Sequence, residues 1–259
     1  MKPLRVKDLE LNDGSFKICV PLTARNEVAL MNDLLHLKGK VFDLIEWRAD
    51  YYFATEEDLG NLNLKPLRLI RKFFSDKPLI VTFRDSSEGG QSVIDQSKLL
   101  EFRKNVIDSG VADLIDIELM EFQMKYGADE ELHKEYEELL ELAKERGVKV
   151  ILSFHDFKHS PEVKEMLDCL LLEEEFGADL AKIAYFAKNE TEAKTLMEAS
   201  TIAAQRLKIP HIAIAMGEKG SITRYSRKES SSAITFASIG ESSAPGQLSL
   251  DNIHDKLRE

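Results

Sequence analysis

The sequence predicts an α/β fold, a closed (β/α)8 TIM barrel with an N-terminal β-hairpin capping its bottom. Three observations predict it. Eight short, nearly continuous apolar runs recur along the chain. Segments with the apolar spacing of amphipathic helices lie between them. The chain has 259 residues, a length that such a barrel occupies as one domain. Residues 1–259 are therefore read as a single barrel domain, with residues 3–16 as the hairpin.

The elements follow in order. The opening stretch LRVKDLELNDGSF reads as two strands turning at Asn12-Asp13-Gly14, residue types that tolerate positive φ. The eight candidate strands are 17–21, 41–47, 79–84, 112–119, 148–153, 179–184, 211–215 and 233–238. Their apolar continuity is what parallel strands need when both faces are covered. Between the fourth and fifth, Leu132, Tyr136, Leu139, Leu140 and Ala143 share one helical face, and Gly147 supplies the stop. After the fifth, Ser160-Pro161 reads as a helix start, followed by Val163, Met166, Leu167, Leu170 and Leu171 at helical spacing. The seventh connection, 216–232, has the weakest helical pattern. Leu250, Ile253 and Leu257 mark a short last helix.

Hydrophobic residues make up 43% of the chain and charged residues 31%, as in a globular protein with a buried core. The net charge of −11 argues against nucleic-acid or membrane-surface partners, which require a basic footprint. An acidic protein that takes an anionic substrate must concentrate positive charge locally, which directs attention to the arginines. No apolar run approaches the ~20 residues of a membrane span, and no leader-like segment opens the chain. Cys19 and Cys169 sit among apolar neighbours and form no CxxC pair, so both read as core thiols. A reducing, cytoplasmic location is expected.

Barrel enzymes place their chemistry at the C-terminal ends of the strands. Lys182 stands inside a strand run, DLAKIAY, sharing a face with Leu180 and Ala184. If that face is the barrel interior, lost hydration favours the neutral amine that attacks carbonyls. The other reading is a strand-edge lysine with its head in water. His155, placed just past the fifth strand, is a candidate general acid/base, and a lone loop histidine is otherwise structural. Glu88 after the third strand could orient it, and Gly89-Gly90 is a weak phosphate signal. Glu46 and Arg48 end the second strand, Arg84 the third, and Arg224 follows the seventh. Arginines converging on one mouth can hold a carboxylate and hydroxyls, whereas singly each reads as a surface ion pair. Ser243 and Gln247 lie on a Pro/Gly loop after the eighth strand. There is no HExxH, EF-hand, P-loop or GxGxxG pattern, so no metal or nucleotide cofactor is expected.

Taken together, the motifs IEWRAD (45–50), VTFR with EGG (81–90), SFHDF (153–157), GADLAKIA (177–184), AMGEKGSITR (215–224) and SSAPGQLS (242–249) resemble the type I 3-dehydroquinate dehydratase family. They occur in family order across essentially the whole chain. The resemblance implies a (β/α)8 barrel that dehydrates 3-dehydroquinate through an imine, without a cofactor, as a homodimer. It implies Lys182 as the imine-forming lysine, His155 as general acid/base and Glu88 as the group orienting it. It implies that Glu46, Arg48 and Arg84 contact ring hydroxyls and that Arg224 binds the carboxylate. Ser243 and Gln247 match polar contacts on a closing loop, and Met216 and Phe236 match apolar walls. Three positions depart from the pattern. Pro21 stands where some members have a substrate-contacting serine, Asp85 follows Arg84 where a neutral residue is expected, and Ala181 precedes Lys182 where proline is expected.

Two other readings remain at the sequence level. One is a different imine-forming barrel of class I aldolase type, which would not need the carboxylate arginine and the SAPGQ loop together. The other is a non-catalytic barrel that binds a small acid, for which neither Lys182 nor His155 would be required.

Overall fold

The computed structural model describes residues 3–54, 62–119, 130–240 and 242–258. Among these, β1 (Leu4–Val6) and β2 (Leu9–Leu11) pair antiparallel. Strands β3 (Lys17–Leu22), β4 (Leu44–Arg48), β5 (Leu79–Thr82), β6 (Leu114–Glu118), β7 (Lys149–Asp156), β8 (Leu180–Phe186), β9 (His211–Met216) and β10 (Ile234–Ser238) run parallel. Each is hydrogen-bonded to its sequence neighbour from β3 through to β9, and β10 pairs β3. A two-residue strand, β11 (Leu248–Ser249), extends β10.

The helices between strands are α1 (Glu27–Leu37), α2 (Ala49–Tyr52), α3 (Lys65–Phe73), α4 (Gln96–Asp108), α5 (Glu130–Arg146), α6 (Val163–Glu175), α7 (Glu190–Arg206) and the one-turn α8 (Arg227–Ser230). The helix α9 (Leu250–Arg258) closes the described chain. Local sequence sets their ends. The Asn26 side chain accepts from Ala29 N–H at 2.9 Å and Asn189 from Glu192 N–H at 3.0 Å, satisfying first-turn donors. Gly147, at φ +72°, ends α5, and its N–H and that of Val148 bond back to Lys144 and Ala143 carbonyls. No described helix is long and apolar enough to cross a membrane.

Period-2 alternation sorts the strands into two faces. Outward residues such as Val20, Trp47, Val81, Ile117 and Leu152 pack against the helices. Inward residues form layers. The lowest is apolar: Cys19, Leu44, Ile80, Leu114, Ile151, Leu180, Ile212 and Ile234. Val6 and Leu11 of the hairpin pack on that layer, so the hairpin does cap the bottom. Above it the inward positions of β4 to β8 turn polar, and there the site begins.

The seam between β9 and β10 is not a regular ladder. Ala233 N–H reaches His211 O at 2.8 Å. Higher up, Ser232 Oγ accepts from Ala213 N–H at 3.2 Å and Thr223 Oγ1 from Ala215 N–H at 3.1 Å. Side chains thus replace the missing partner strand and leave room for a 3-10 helix, Glu218–Arg224, to enter the mouth. This helix and α8 occupy the connection whose helical pattern was weakest.

Several expectations need correction. The hairpin turns at Lys7-Asp8, with Lys7 at φ +52°, because that register pairs Leu4 with Leu11 and Val6 with Leu9 and buries Val6 and Leu11. Asn12-Asp13-Gly14 is instead the bend from β2 into β3, with Asn12 at φ +71° and Gly14 at φ +94°. Helix α6 starts at Val163, not at Ser160-Pro161; Glu162 caps it, donating its N–H to the Glu165 carboxylate at 3.2 Å. Strand β7 runs on to Asp156, so His155 is a strand residue, and β5 ends at Thr82, just before Arg84. Strand β4 begins at Leu44 rather than at Val41, which is exposed. Cys19 is buried, whereas Cys169 is only partly so. Leu257 is exposed, and the Leu132 side chain lies outside the described residues.

His211 opens β9 fully buried. Its Nε2 lies 2.6 Å from Ser200 Oγ, which itself donates to Ser230 O, so the ring proton belongs on Nε2. Burial, reinforced by the nearby Arg227 charge, pushes its pKa down from 6.5 to about 4. Between those values the unfolded chain binds the extra proton, so stability falls as pH is lowered through that window, by up to ~1.4 kcal/mol per pH unit. His211→Asn is expected to reduce this slope in denaturant unfolding between about pH 7 and pH 4.5. An unchanged slope would show that His211 does not carry it.

Candidate active site

Lys182 projects from the middle of β8 into the barrel, between Leu180 below and Ala184 above. It is 5% exposed. The strand-edge alternative is thereby excluded. The ammonium does not stand alone, since Nζ lies 2.9 Å from Asp116 Oδ2 and 5.1 Å from the Phe236 ring centroid. Asp116 Oδ1 takes a second cation, Arg84 Nη2, at 2.7 Å. Arg84 Nη1 bonds Glu118 Oε1 at 3.0 Å and Ser153 Oγ at 2.9 Å. Burial works against ionised Asp116, but Arg84 and Lys182 hold its carboxyl far below the usual range. Burial likewise opposes the Arg84 charge, and Asp116, Glu118 and Glu88 outweigh it, raising its pKa.

His155 lies one step higher on β7. Its Nδ1 is 2.9 Å from Glu88 Oε2, and its own backbone N–H donates to the same oxygen at 3.0 Å. An oxygen accepting twice is the unprotonated one, so Nδ1 carries the ring proton and Nε2 is left bare. Burial pushes the His155 pKa well below 6.5, and the Arg84 and Lys182 charges push the same way. Burial lifts the Glu88 carboxyl to about 9, against the pull of Arg84. Any proton on Glu88 belongs on Oε1, which has no partner among the described residues.

Glu88 is delivered by a tight turn. The 3-10 turn Ser86–Glu88 is capped by Asp85, whose side chain accepts from Ser87 N–H at 2.8 Å. Gly89 ends it at φ +86°, and Gly90 N–H returns to Asp85 O at 2.8 Å. A Cβ on Gly90 would stand 1.8 Å from the Arg84 carbonyl oxygen. The glycine pair therefore serves close packing. Asp85, the departure beside Arg84, turns its carboxylate to the Ser87 N–H of the turn.

The eleven candidate side chains Glu46, Arg48, Arg84, Glu88, His155, Lys182, Met216, Arg224, Phe236, Ser243 and Gln247 all line one cleft at the barrel mouth. The three arginines differ there. Arg48 is held by both Asp50 oxygens at 2.8 Å and lies over the Tyr51 ring at 4.9 Å. Arg84 is neutralised as described. Arg224 reaches only the Pro245 carbonyl, at 3.2 Å, its buried Nε has no partner, and no carboxylate pairs with it among the described residues. Burial lowers its pKa to about 10. A guanidinium in that condition fits an incoming carboxylate. The three arginines thus do share one mouth, and Arg224 is the one left open to a carboxylate.

Glu46 accepts from Thr82 Oγ1 at 2.7 Å in the middle layer. Ser243 and Gln247 sit on a loop docked over the mouth. Gln247 Oε1 accepts from Ser243 N–H at 2.8 Å, and Pro245 O accepts from Gly217 N–H at 3.1 Å as well as from Arg224. Pro21 faces Glu46 across the ladder, and Ala181 uses an N–H that proline lacks, donating to Pro210 O at 3.2 Å. The sequence reading missed Asp50, Thr82, Asp116, Glu118 and Ser153. The signal existed: Leu114, Asp116 and Glu118 alternate on one face as Leu180 and Lys182 do.

A family model described as Type I 3-dehydroquinase matches residues 18–259. The chain is similar to the 3-dehydroquinate dehydratase of Alkaliphilus oremlandii, 37% identical over 97% of this chain and 94% of that one. Among solved structures it is similar to the type I 3-dehydroquinate dehydratase of Clostridium difficile bearing covalently modified comenic acid. That likeness has 32% identity, a TM-score of 0.86, and coverage of 99% of this chain and 96% of the other. The 3-dehydroquinate dehydratase of Geobacillus kaustophilus superposes with a TM-score of 0.89 at 29% identity, covering 99% and 95%.

The unpaired Arg224 generates a test. Arg224→Ala is expected to weaken binding of a cyclic carboxylate ligand by roughly 2–5 kcal/mol in titration calorimetry. Equal affinity in variant and parent would place the anion elsewhere.

Proposed function

Because the chain belongs to the type I 3-dehydroquinase family, hydro-lyases of the shikimate pathway that convert 3-dehydroquinate to 3-dehydroshikimate, we propose that Lys182 carries this reaction as an imine, with His155 moving the protons. The observation that supports it is a lysine buried mid-barrel, one layer below a histidine with a bare Nε2. Family membership sets aside the aldolase and sensor readings.

The chemistry follows from the placement. A proton beside a ketone is weakly acidic. The Lys182 ammonium passes a proton to the bare His155 Nε2, the neutral amine adds to the ketone carbon, and His155 returns that proton to the carbinolamine hydroxyl, which leaves as water and gives the protonated imine, an electron sink. His155 Nε2 then takes the neighbouring carbon-bound proton, and the electron pair moves into an enamine. The enamine expels the β-hydroxyl, which takes the proton back from His155 and departs as water. Hydrolysis of the unsaturated imine frees Lys182 and releases the enone. No other electron sink is required, so the proposal needs no cofactor.

The remaining residues position and enclose the substrate. Arg224 pairs with its carboxylate, and Glu46, Arg48 and Arg84 address ring hydroxyls, with Arg84 also ordering Asp116 and Glu118. Met216 and Phe236 supply a dry wall, and the loop with Ser243 and Gln247 covers the mouth, excluding water from the imine. We extend the proposal to one barrel domain working as a homodimer in the cytoplasm, which the two free thiols suit.

Borohydride added with substrate or product is expected to inactivate the enzyme, with one reduced adduct mapped to Lys182 by peptide mass spectrometry. An adduct on another lysine, or none despite turnover, would overturn the assignment.

His155→Ala is expected to lose about 10²–10⁴-fold or more in kcat, since one residue serves two proton transfers. The covalent adduct should then accumulate in intact mass spectra. In the parent, a base held well below 6.5 stays unprotonated as pH falls past that value. The acid limb of the rate profile should therefore lie below the ordinary histidine range. Near-normal turnover in His155→Ala would hand the role to another group.

A further inference from the structure

Helix α6 buries Met166, Leu167, Leu170 and Glu173 on one stripe. Glu173 stands where the spacing calls for another leucine, and it is 0% exposed. An acidic group there is costly unless its oxygens are used. They are used in a particular way. Oε2 accepts the backbone N–H of Lys182 at 2.7 Å, and Oε1 lies 3.9 Å from the Cys169 thiol. Cys169 in turn lies beside Tyr185, three residues beyond Lys182 on the same strand. Among the described residues no lysine or arginine side chain forms an ion pair with Glu173. Burial raises its carboxyl well above the usual range, against the pull of the Lys182 backbone N–H.

Glu173 therefore touches the outer side of β8 at the residue whose side chain enters the barrel. It meets neither the cleft nor the Lys182 ammonium, which pairs with Asp116 inside. The peptide of Lys182 sets where the Cα–Cβ bond points, and a small tilt there moves Nζ by far more at the end of a four-carbon stem. Attack on a ketone requires the nitrogen at a defined distance and angle, and misplacement is costly in rate.

We propose that Glu173 is a positioning residue for imine formation, clamping the Lys182 peptide from the helix layer so that its amine meets the substrate carbonyl. The inference rests on the reading of Lys182 as the imine former. Because Glu173 contacts no substrate position, its removal acts on the covalent step and leaves ligand binding alone.

The test compares Glu173→Gln, which keeps an acceptor of the same shape, with Glu173→Met, which keeps volume and loses it. Single-turnover borohydride trapping gives the rate of adduct formation, and product affinity and thermal midpoint are measured alongside. Glu173→Met is expected to slow adduct formation and kcat roughly three- to tenfold with product affinity unchanged. Glu173→Gln should restore most of the rate. The thermal midpoint of Glu173→Met should hold or rise, since an apolar residue suits that stripe, which separates this effect from damage to the fold. If Glu173→Met does not fold, Glu173→Ala gives the same comparison without overpacking. Parent-like trapping in the apolar variant, or equal slowing in Glu173→Gln, would overturn the role of Glu173 while the Lys182 adduct of the parent still stood. Absence of that adduct in the parent would overturn the imine reading, and this inference with it.

Discussion

The Lys182–Asp116–Arg84 chain of charges is the constraint on which the rest of the structure depends. One carboxylate is shared between two cations deep in the barrel, with Glu118 and Ser153 completing the guanidinium's bonds. Charges removed from water cost several kcal/mol each, and only good mutual geometry offsets that. Five strands contribute to this layer, β4 through Glu46, β5 through Thr82 and the adjoining Arg84, β6, β7 and β8. A one-residue slip in any of them would turn its polar residue outward among the helices. Strand register, inward polarity and the position of the reactive amine are therefore one requirement.

The apolar layer below makes that arrangement possible. Residues from Cys19 round to Ile234, closed off by Val6 and Leu11, form an apolar floor beneath the charges. In this dry setting, unpaired groups become informative. Among the described residues Arg224 has no carboxylate partner, where Arg48 and Arg84 have theirs. His155 keeps a bare nitrogen because Glu88 takes its other one.

The β9–β10 seam explains how Arg224 arrives there. Thr223 and Ser232 satisfy strand amides that a regular ladder would have covered. Thr235 Oγ1 donates to the Arg224 carbonyl at 2.7 Å, fixing the end of the 3-10 helix against β10. Interrupting the sheet thus admits the guanidinium from the side. The same helix start, Gly217, receives Pro245 of the loop above, with Gly246 packed so closely that a Cβ would stand 2.2 Å from the Gly217 carbonyl oxygen.

By itself the sequence determined the class of fold, the number and order of barrel strands, and the candidate residues. Apolar runs and helical spacing are local patterns, and a lysine amid LA and IA is conspicuous within one strand. The sequence misplaced the hairpin turn and the start of α6, because Asn-Asp-Gly and Ser-Pro are permissive signals that burial of Val6 and the Glu162–Glu165 cap outweighed. It passed over Asp116 and Glu118, although the same alternation marks them. Only the tertiary structure decided which arginine is free, which nitrogen of His155 is bare, and that Glu173 stands behind Lys182. Those are properties of pairs brought together from distant strands and helices. A charge's partner depends on distances that no single stretch of chain contains.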